Sequence, residues 1–179
     1  MSASPFFYIE VFNHKTGNWE KFDLYRVNDK GEYEVCDLWN WNGTHDLFSI
    51  LHIEHSTDMP EFDAVHHGLP ANASPEMYSI VDAHTWSEGE RTYAPEVKWF
   101  NLADAMLYYN EYPEVIDDEA MENYWVKNDI PYNEVPKKMM PNPIKGLIDR
   151  VISFLEIGYN FWGWGTALSD VRIICWCSW

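Results

Sequence analysis

Basic residues are scarce in this chain. Twelve Lys and Arg stand against 29 Asp and Glu, a formal net charge of −17. That deficit argues against direct nucleic-acid binding, which depends on Lys and Arg neutralising phosphates. Cysteine is also scarce, with 3 in 179 residues. Cys175 and Cys177 sit two apart in a strand-like stretch, where they share a face. Neighbours in one strand pair poorly, so free thiols in a reducing cytoplasm are expected. No run approaches the roughly 18 apolar residues of a membrane helix. The stretch MSASPFFYIEVFNHK has neither a basic n-region nor a long apolar h-region, so no signal peptide is expected. Without secretion, the sequons at Asn42 and Asn72 carry no weight. G-x-S-x-G, C-x-x-C and a Gly-rich phosphate loop are all missing. GYNFWGWG (158–165) has glycines, but it follows a helical pattern and aromatics fill its gaps. It reads as a helix stop with aromatic packing, not as a cradle for phosphate.

Aromatics are abundant, at 17% with 10 Trp and 11 Tyr, and hydrophobic residues make up 46%. An acidic disordered chain would be poor in both. A length of 179 residues suits one α+β domain spanning 1–179, able to bury about 70% of its unfolded surface. The excess charge serves solubility. It also attracts basic partners and speeds their approach.

The hydrophobic pattern changes period along the chain. FFYIEVF (6–12), WEKFDLYR (19–26) and EYEVCDL (32–38) read as a three-stranded antiparallel meander, with turns at Gly17 and Gly31. DLFSILHIEH (46–55) reads as a short helix capped by Thr44. Ser74-Pro75-Glu76 opens a second helix, with Ser as N-cap and Pro at N1. Residues 84–100 are extended, with a hairpin near Glu88-Gly89. Asn101 opens a third helix with Leu102, Ala105 and Met106 inward, and Pro113 ends it. Residues 116–128 form an acidic helix, and 130–143 a proline-rich loop. Asn142-Pro143 starts the best helix, striped by Ile144, Ile148, Val151, Ile152 and Leu155. VRIICWCSW (171–179) fits a central strand buried on both faces. The expected fold is therefore α+β: a mainly antiparallel sheet, from the meander plus the last strand, packed with about five helices on one side.

Three groups of side chains offer chemistry. HIEHSTDMPEFDAVHHG (52–68) holds four histidines and four acids. His52, His55, His66 and His67 could supply three ligands to zinc or manganese, with Glu54, Asp58 or Asp63 as a carboxylate. No established spacing is present, since HIEH is not H-E-x-x-H, and a polar loop is the better reading. WNWNGTHD (39–46) places Trp39 and Trp41 beside Asn40, Asn42 and His45, a mix suited to small-molecule pockets. Between 111 and 122 there are six acids and no base: Glu111, Glu114, Asp117, Asp118, Glu119 and Glu122. Such a run is ordinarily a solvated face.

Several short motifs, in order, carry a resemblance. Thr44-His45-Asp46-Leu47-Phe48-Ser49-Ile50-Leu51 resembles the R-N-Y-x-L-F-x-L-L segment of a set of uncharacterised bacteriophage and prophage accessory proteins. His67-Gly68-Leu69-Pro70 with Ser74 resembles their R-G-L-P-x-D-x-S. Ala83-His84-Thr85-Trp86 is similar to their H-S-x-S-W. Asn101-Leu102-Ala103-Asp104 stands where they carry a helix-opening L-x-E-L. Asp170-Val171-Arg172-Ile173-Ile174 is similar to their closing V-R-h-V strand. The departures are His67 for Arg, Gly43-Thr44 for an Arg-Asn pair, and Cys177-Ser178-Trp179 for F-D-N. A shared polar site, if the set has one, is altered here.

The resemblance implies a phage-encoded protein in the cytoplasm of an infected bacterium. With the charge, it leads to the expectation of a counter-defence, anti-CRISPR-like inhibitor. Its acids would mimic DNA phosphates in the basic groove of a host defence protein, with aromatic anchors. Partner-facing candidates are the six acids above and Trp39, Trp41, His45, His67, His84 and Trp86. One alternative is a pocket that sequesters a nucleotide immune signal with those same aromatic and histidine residues. Another is a metal-dependent hydrolase built on the 52–67 histidines. Binding is favoured over catalysis, and no cofactor, nucleic acid or membrane partner is expected.

Overall fold

The structure, a computed structural model, describes residues 4–23, 25–35, 51, 60, 62–88, 91–162 and 167–178. Strands β1 (Ser4–Asn13) and β2 (Asn18–Phe22) form a hairpin. Gly17 closes its turn at φ 72°, and its N–H donates to the Asn13 carbonyl at 2.8 Å. A positive φ of this kind costs glycine little. The stretch 19–26 does not run on as one strand. β2 ends at Phe22, and among the described residues β3 (Tyr25–Val27) pairs with β4 (Tyr33–Val35) in a separate ribbon. The expected third strand of the meander therefore leaves the main sheet.

The last strand joins the sheet on the side of β1 away from β2. β11 (Val171–Ser178) lies antiparallel to β1, and with β5 (His66–His67) and β8 (Lys98–Asn101) the main sheet has the order β2-β1-β11-β8-β5. From Val171 to Trp176 every residue of β11 is buried. A strand apolar on both faces gains most at the sheet centre, whereas a half-polar strand such as 32–38 tolerates a margin.

Alternation divides the strand residues between two faces. On one face Phe7, Ile9, Val11, Phe100, Val171, Ile173 and Cys175 share a buried cluster with two helices. These are α2 (Leu102–Glu111) and α4 (Ile144–Trp162). The helices contribute Leu102, Ala105, Ile144, Ile148 and Val151 among others. Each buried Val, Leu, Ile or Phe among them contributes about 1.5–3 kcal/mol. On the other face Ile174 and Trp176 meet Met77 of α1 (Pro75–Ala83). The helices are thus not confined to one side, because Ile174 and Trp176 leave that face apolar too.

Helix starts follow the sequence with one exception. Ser74 caps α1 by accepting from the Met77 N–H. Asn142 accepts from the Ile144 N–H at 3.0 Å, and its own amide donates to the Tyr112 carbonyl at 2.7 Å. Asn101 occupies the cap position of α2 but makes no side-chain cap bond. α4 also runs past Gly158, the expected stop, to Trp162. One glycine costs a helix only about 1 kcal/mol. Four α-helices occur among the described residues. The expected helix over 46–55 lies outside them, save for buried Leu51. Lys98 holds that residue, its ammonium donating to the Leu51 carbonyl at 3.2 Å.

The loop expected over 130–143 contains a strand. β10 (Met139–Pro141) pairs with β9 (Glu114–Ile116), and α3 (Asp118–Asn128) follows β9. Ile116, Met121 and Val135 form a small buried cluster of their own, with Ile130 against it. Hairpin β6 (Trp86–Glu88) and β7 (Arg91–Tyr93) completes the described strands. Among the described residues no helix is long and apolar enough to cross a membrane.

Candidate interaction surface

The acidic stretch spans the end of α2, strand β9 and the start of α3. Glu111, Glu114, Glu119 and Glu122 are exposed. Asp117 has a different task. It is the N-cap of α3, half-buried, and accepts from the Ala120 N–H at 2.8 Å. A carboxylate there satisfies a free N–H and suits the helix dipole. The side chain of Asp118 lies outside the described residues. Glu111 accepts a hydrogen bond from the Tyr112 phenol, which raises the pKa of that phenol; the Glu111 charge, burial and Asp63 add to the effect.

α3 is exposed through its second half. Every residue from Glu122 to Asn128 is exposed, and among the described side chains of this helix only Met121 is fully buried. Tyr124, Trp125 and Val126 lie among these residues, Trp125 at 41% and Val126 at 70% exposure. Asp129 ends the helix in the left-handed region at φ 48°. The helix thus shows carboxylates near its first turns and exposed aromatic and apolar side chains after them. Charged and aromatic groups together are what docking surfaces use as steering and anchor.

Of the six other predicted contact residues His67, His84 and Trp86 are described, and each has neighbours of its own. Trp39, Trp41 and His45 lie outside the described residues, as do His52 and His55. His67 is exposed on edge strand β5, its Nδ1 3.8 Å from Glu96. His84 ends α1 with Nδ1 2.8 Å from the Ile80 carbonyl, and its ring meets Phe6 and Trp176 edge-on. That is a packing role. Trp86 stacks on Tyr93 across the β6–β7 hairpin at 4.2 Å, so one indole face is covered. His66 and His67 are successive in a strand and point to opposite faces. His66 stacks on Trp99 at 4.2 Å. Among the described residues no three His, Cys, Asp or Glu side chains converge on a point.

One arrangement was missed. Glu10 and Arg172 face each other across β1 and β11, and both are buried. Arg172 Nε donates to Glu10 Oε2 at 2.7 Å, while Glu10 Oε1 accepts from the Ser74 N–H at 2.7 Å. Arg172 also donates to the Asn72 side-chain oxygen at 2.7 Å and to its carbonyl at 3.1 Å. Its guanidinium lies 4.0 Å from the Trp19 ring centroid. Burial lowers the pKa of Arg172, and the Glu10 hydrogen bond and charge oppose that shift. The result fixes the loop before α1 onto the sheet. The sequence signal was available: one acid in FFYIEVF and one base in VRIICW, each alone in an apolar strand.

No family model matches the chain, and neither a curated protein nor a solved structure is significantly similar to it.

Proposed function

We propose that this protein works by binding, docking the acidic and aromatic surface of α3 and the flanking β9 into a basic groove on a partner protein. The observation that carries this reading is the exposure of Tyr124, Trp125 and Val126 on a helix that also exposes Glu119 and Glu122. Trp125 and Tyr124 would anchor the contact. The carboxylates would take the positions that phosphates occupy in the groove, and a net charge of −17 would speed encounter. The partner class is a host defence protein that binds nucleic acid. The setting is a phage-infected bacterium, as the ordered motifs between Thr44 and Ile174 suggest.

A displacement assay tests this. Labelled DNA or guide RNA is bound to purified host nucleases and CRISPR effectors, and the chain is added. Release of the nucleic acid from at least one effector, lost in a Glu119→Gln/Glu122→Gln/Trp125→Ala variant, supports the reading. No release from any effector, or release that the variant retains, contradicts it.

A further inference from the structure

We infer that the cleft between the β1–β2 hairpin and the start of α1 receives an organic cation, a guanidinium or alkylammonium group. The cleft encloses about 580 Å³, a usual size for a small-ligand site. Asn18, Trp19 and Glu20 line it from β2, and Asn72, Ser74 and Glu76 from the loop and first turn of α1. Among the described residues the lining has two carboxylates and neither Lys nor Arg, and the Arg172 guanidinium that touches Trp19 and Asn72 is paired with Glu10.

The parts are held in place. Trp19 is covered by the Arg172 guanidinium at 4.0 Å and meets the Phe12 ring edge-on at 5.5 Å. Trp19 is also one of the residues lining the cleft, and an indole attracts cations. Glu20 Oε1 accepts from Asn13 at 2.9 Å and from Thr16 at 3.0 Å, which fixes the carboxylate. A carboxylate has about four acceptor positions, so Oε2 is left to meet a ligand. Glu76 is exposed in the first turn of α1.

An anion does not suit this place. Two carboxylates repel it, Pro75 has no N–H, and the Ser74 hydroxyl already serves the Met77 N–H. A cation gains charge-assisted hydrogen bonds, which are stronger than neutral ones. The same chemistry is presented by an arginine or lysine side chain of a partner and by a free polyamine. The inference stands apart from the α3 surface, since Glu20 and Glu76 lie on other elements.

The test follows the Trp19 indole N–H by proton–nitrogen NMR of the full chain, with the signal assigned by Trp19→Phe. The probes are N-acetylargininamide, spermidine and N-acetylcitrullinamide, the uncharged isostere of the first. A saturable shift with either cation and none with citrullinamide is expected. Glu20→Gln/Glu76→Gln should weaken it about tenfold, as a charge-assisted bond becomes a neutral one. Gln keeps the acceptor that Asn13 and Thr16 use, and an unchanged remainder of the spectrum reports the fold. Preference for argininamide indicates a protein side chain as the natural occupant, and preference for spermidine a polyamine. No saturable shift with either cation, or citrullinamide binding equally well, overturns the inference. The comparison of these probes on the unaltered chain decides even if the double variant fails to fold.

Discussion

Arg172 and Glu10 are directly opposed on neighbouring central strands, both out of water, and their second partners come from the loop before α1. Removing one member leaves a buried charge without its counterpart. Arg172→Met or Glu10→Leu alone should each cost about 3–5 kcal/mol. Combining them should recover most of that loss, because two apolar side chains replace two paired charges. Urea unfolding of the four members of this cycle measures the coupling. A double variant as unstable as the sum of the singles would show that Arg172 acts through Asn72 and Trp19 rather than Glu10.

Tyr108 donates its phenol proton to the Pro60 carbonyl at 2.8 Å in the main core. Burial, helped by the nearby Tyr112 charge, raises its pKa well above the usual range. The folded chain therefore keeps this proton after the unfolded chain begins to release it, near pH 10. Its contribution is complete below about pH 10 and declines as pH rises beyond that point. Tyr108→Phe should cost about 1 kcal/mol near neutrality. The variant should also lose less stability than the parent between neutral and strongly alkaline pH. Equal alkaline slopes in the two proteins would refute the assignment.

Asp117 sits among the six acids yet works as a helix cap. Asp117→Ala should destabilise α3 by about 1 kcal/mol. Asp117→Asn keeps an acceptor for the Ala120 N–H and should leave stability within a few tenths of that of the parent. Hydrogen exchange of the α3 amides, compared between the two variants, separates cap from charge.

Asp129 is the one described non-glycine residue with positive φ. Glycine takes that conformation without strain. Asp129→Gly should stabilise the end of α3 by up to about 1 kcal/mol. A lower melting temperature in this variant would contradict the left-handed cap.

The fold class was legible where periodicity was pure. VRIICW announced a central strand, Ser74-Pro75 announced α1, and the Ile144–Val151 stripe announced α4. Sheet partners were less legible. Nothing local in WEKFDLYR says that the strand stops at Phe22, with β2 pairing β1 and β3 pairing β4 in a ribbon of its own. Met139–Pro141 read as loop since prolines flank it, yet its partner is the edge of a two-stranded ribbon. The acidic stretch was visible as composition, but the cap role of Asp117 needed the helix start. His84 and Trp86 looked alike in sequence, and their neighbours divided them. Glu10 and Arg172 were overlooked because 162 positions separate them, and a pair so remote is joined only by strand order.

The central claim is most directly tested by the salt dependence of binding to an effector that the chain displaces from its nucleic acid. Affinity is measured across a salt series for the parent and for Glu119→Gln/Glu122→Gln, with Trp125→Ala as a third protein. The account predicts a steep fall for the parent, a shallower one for the charge variant, and a loss of about 2 kcal/mol or more for Trp125→Ala with the parental slope. An affinity flat across the series, or unchanged by all three substitutions, would place the contact elsewhere than on α3.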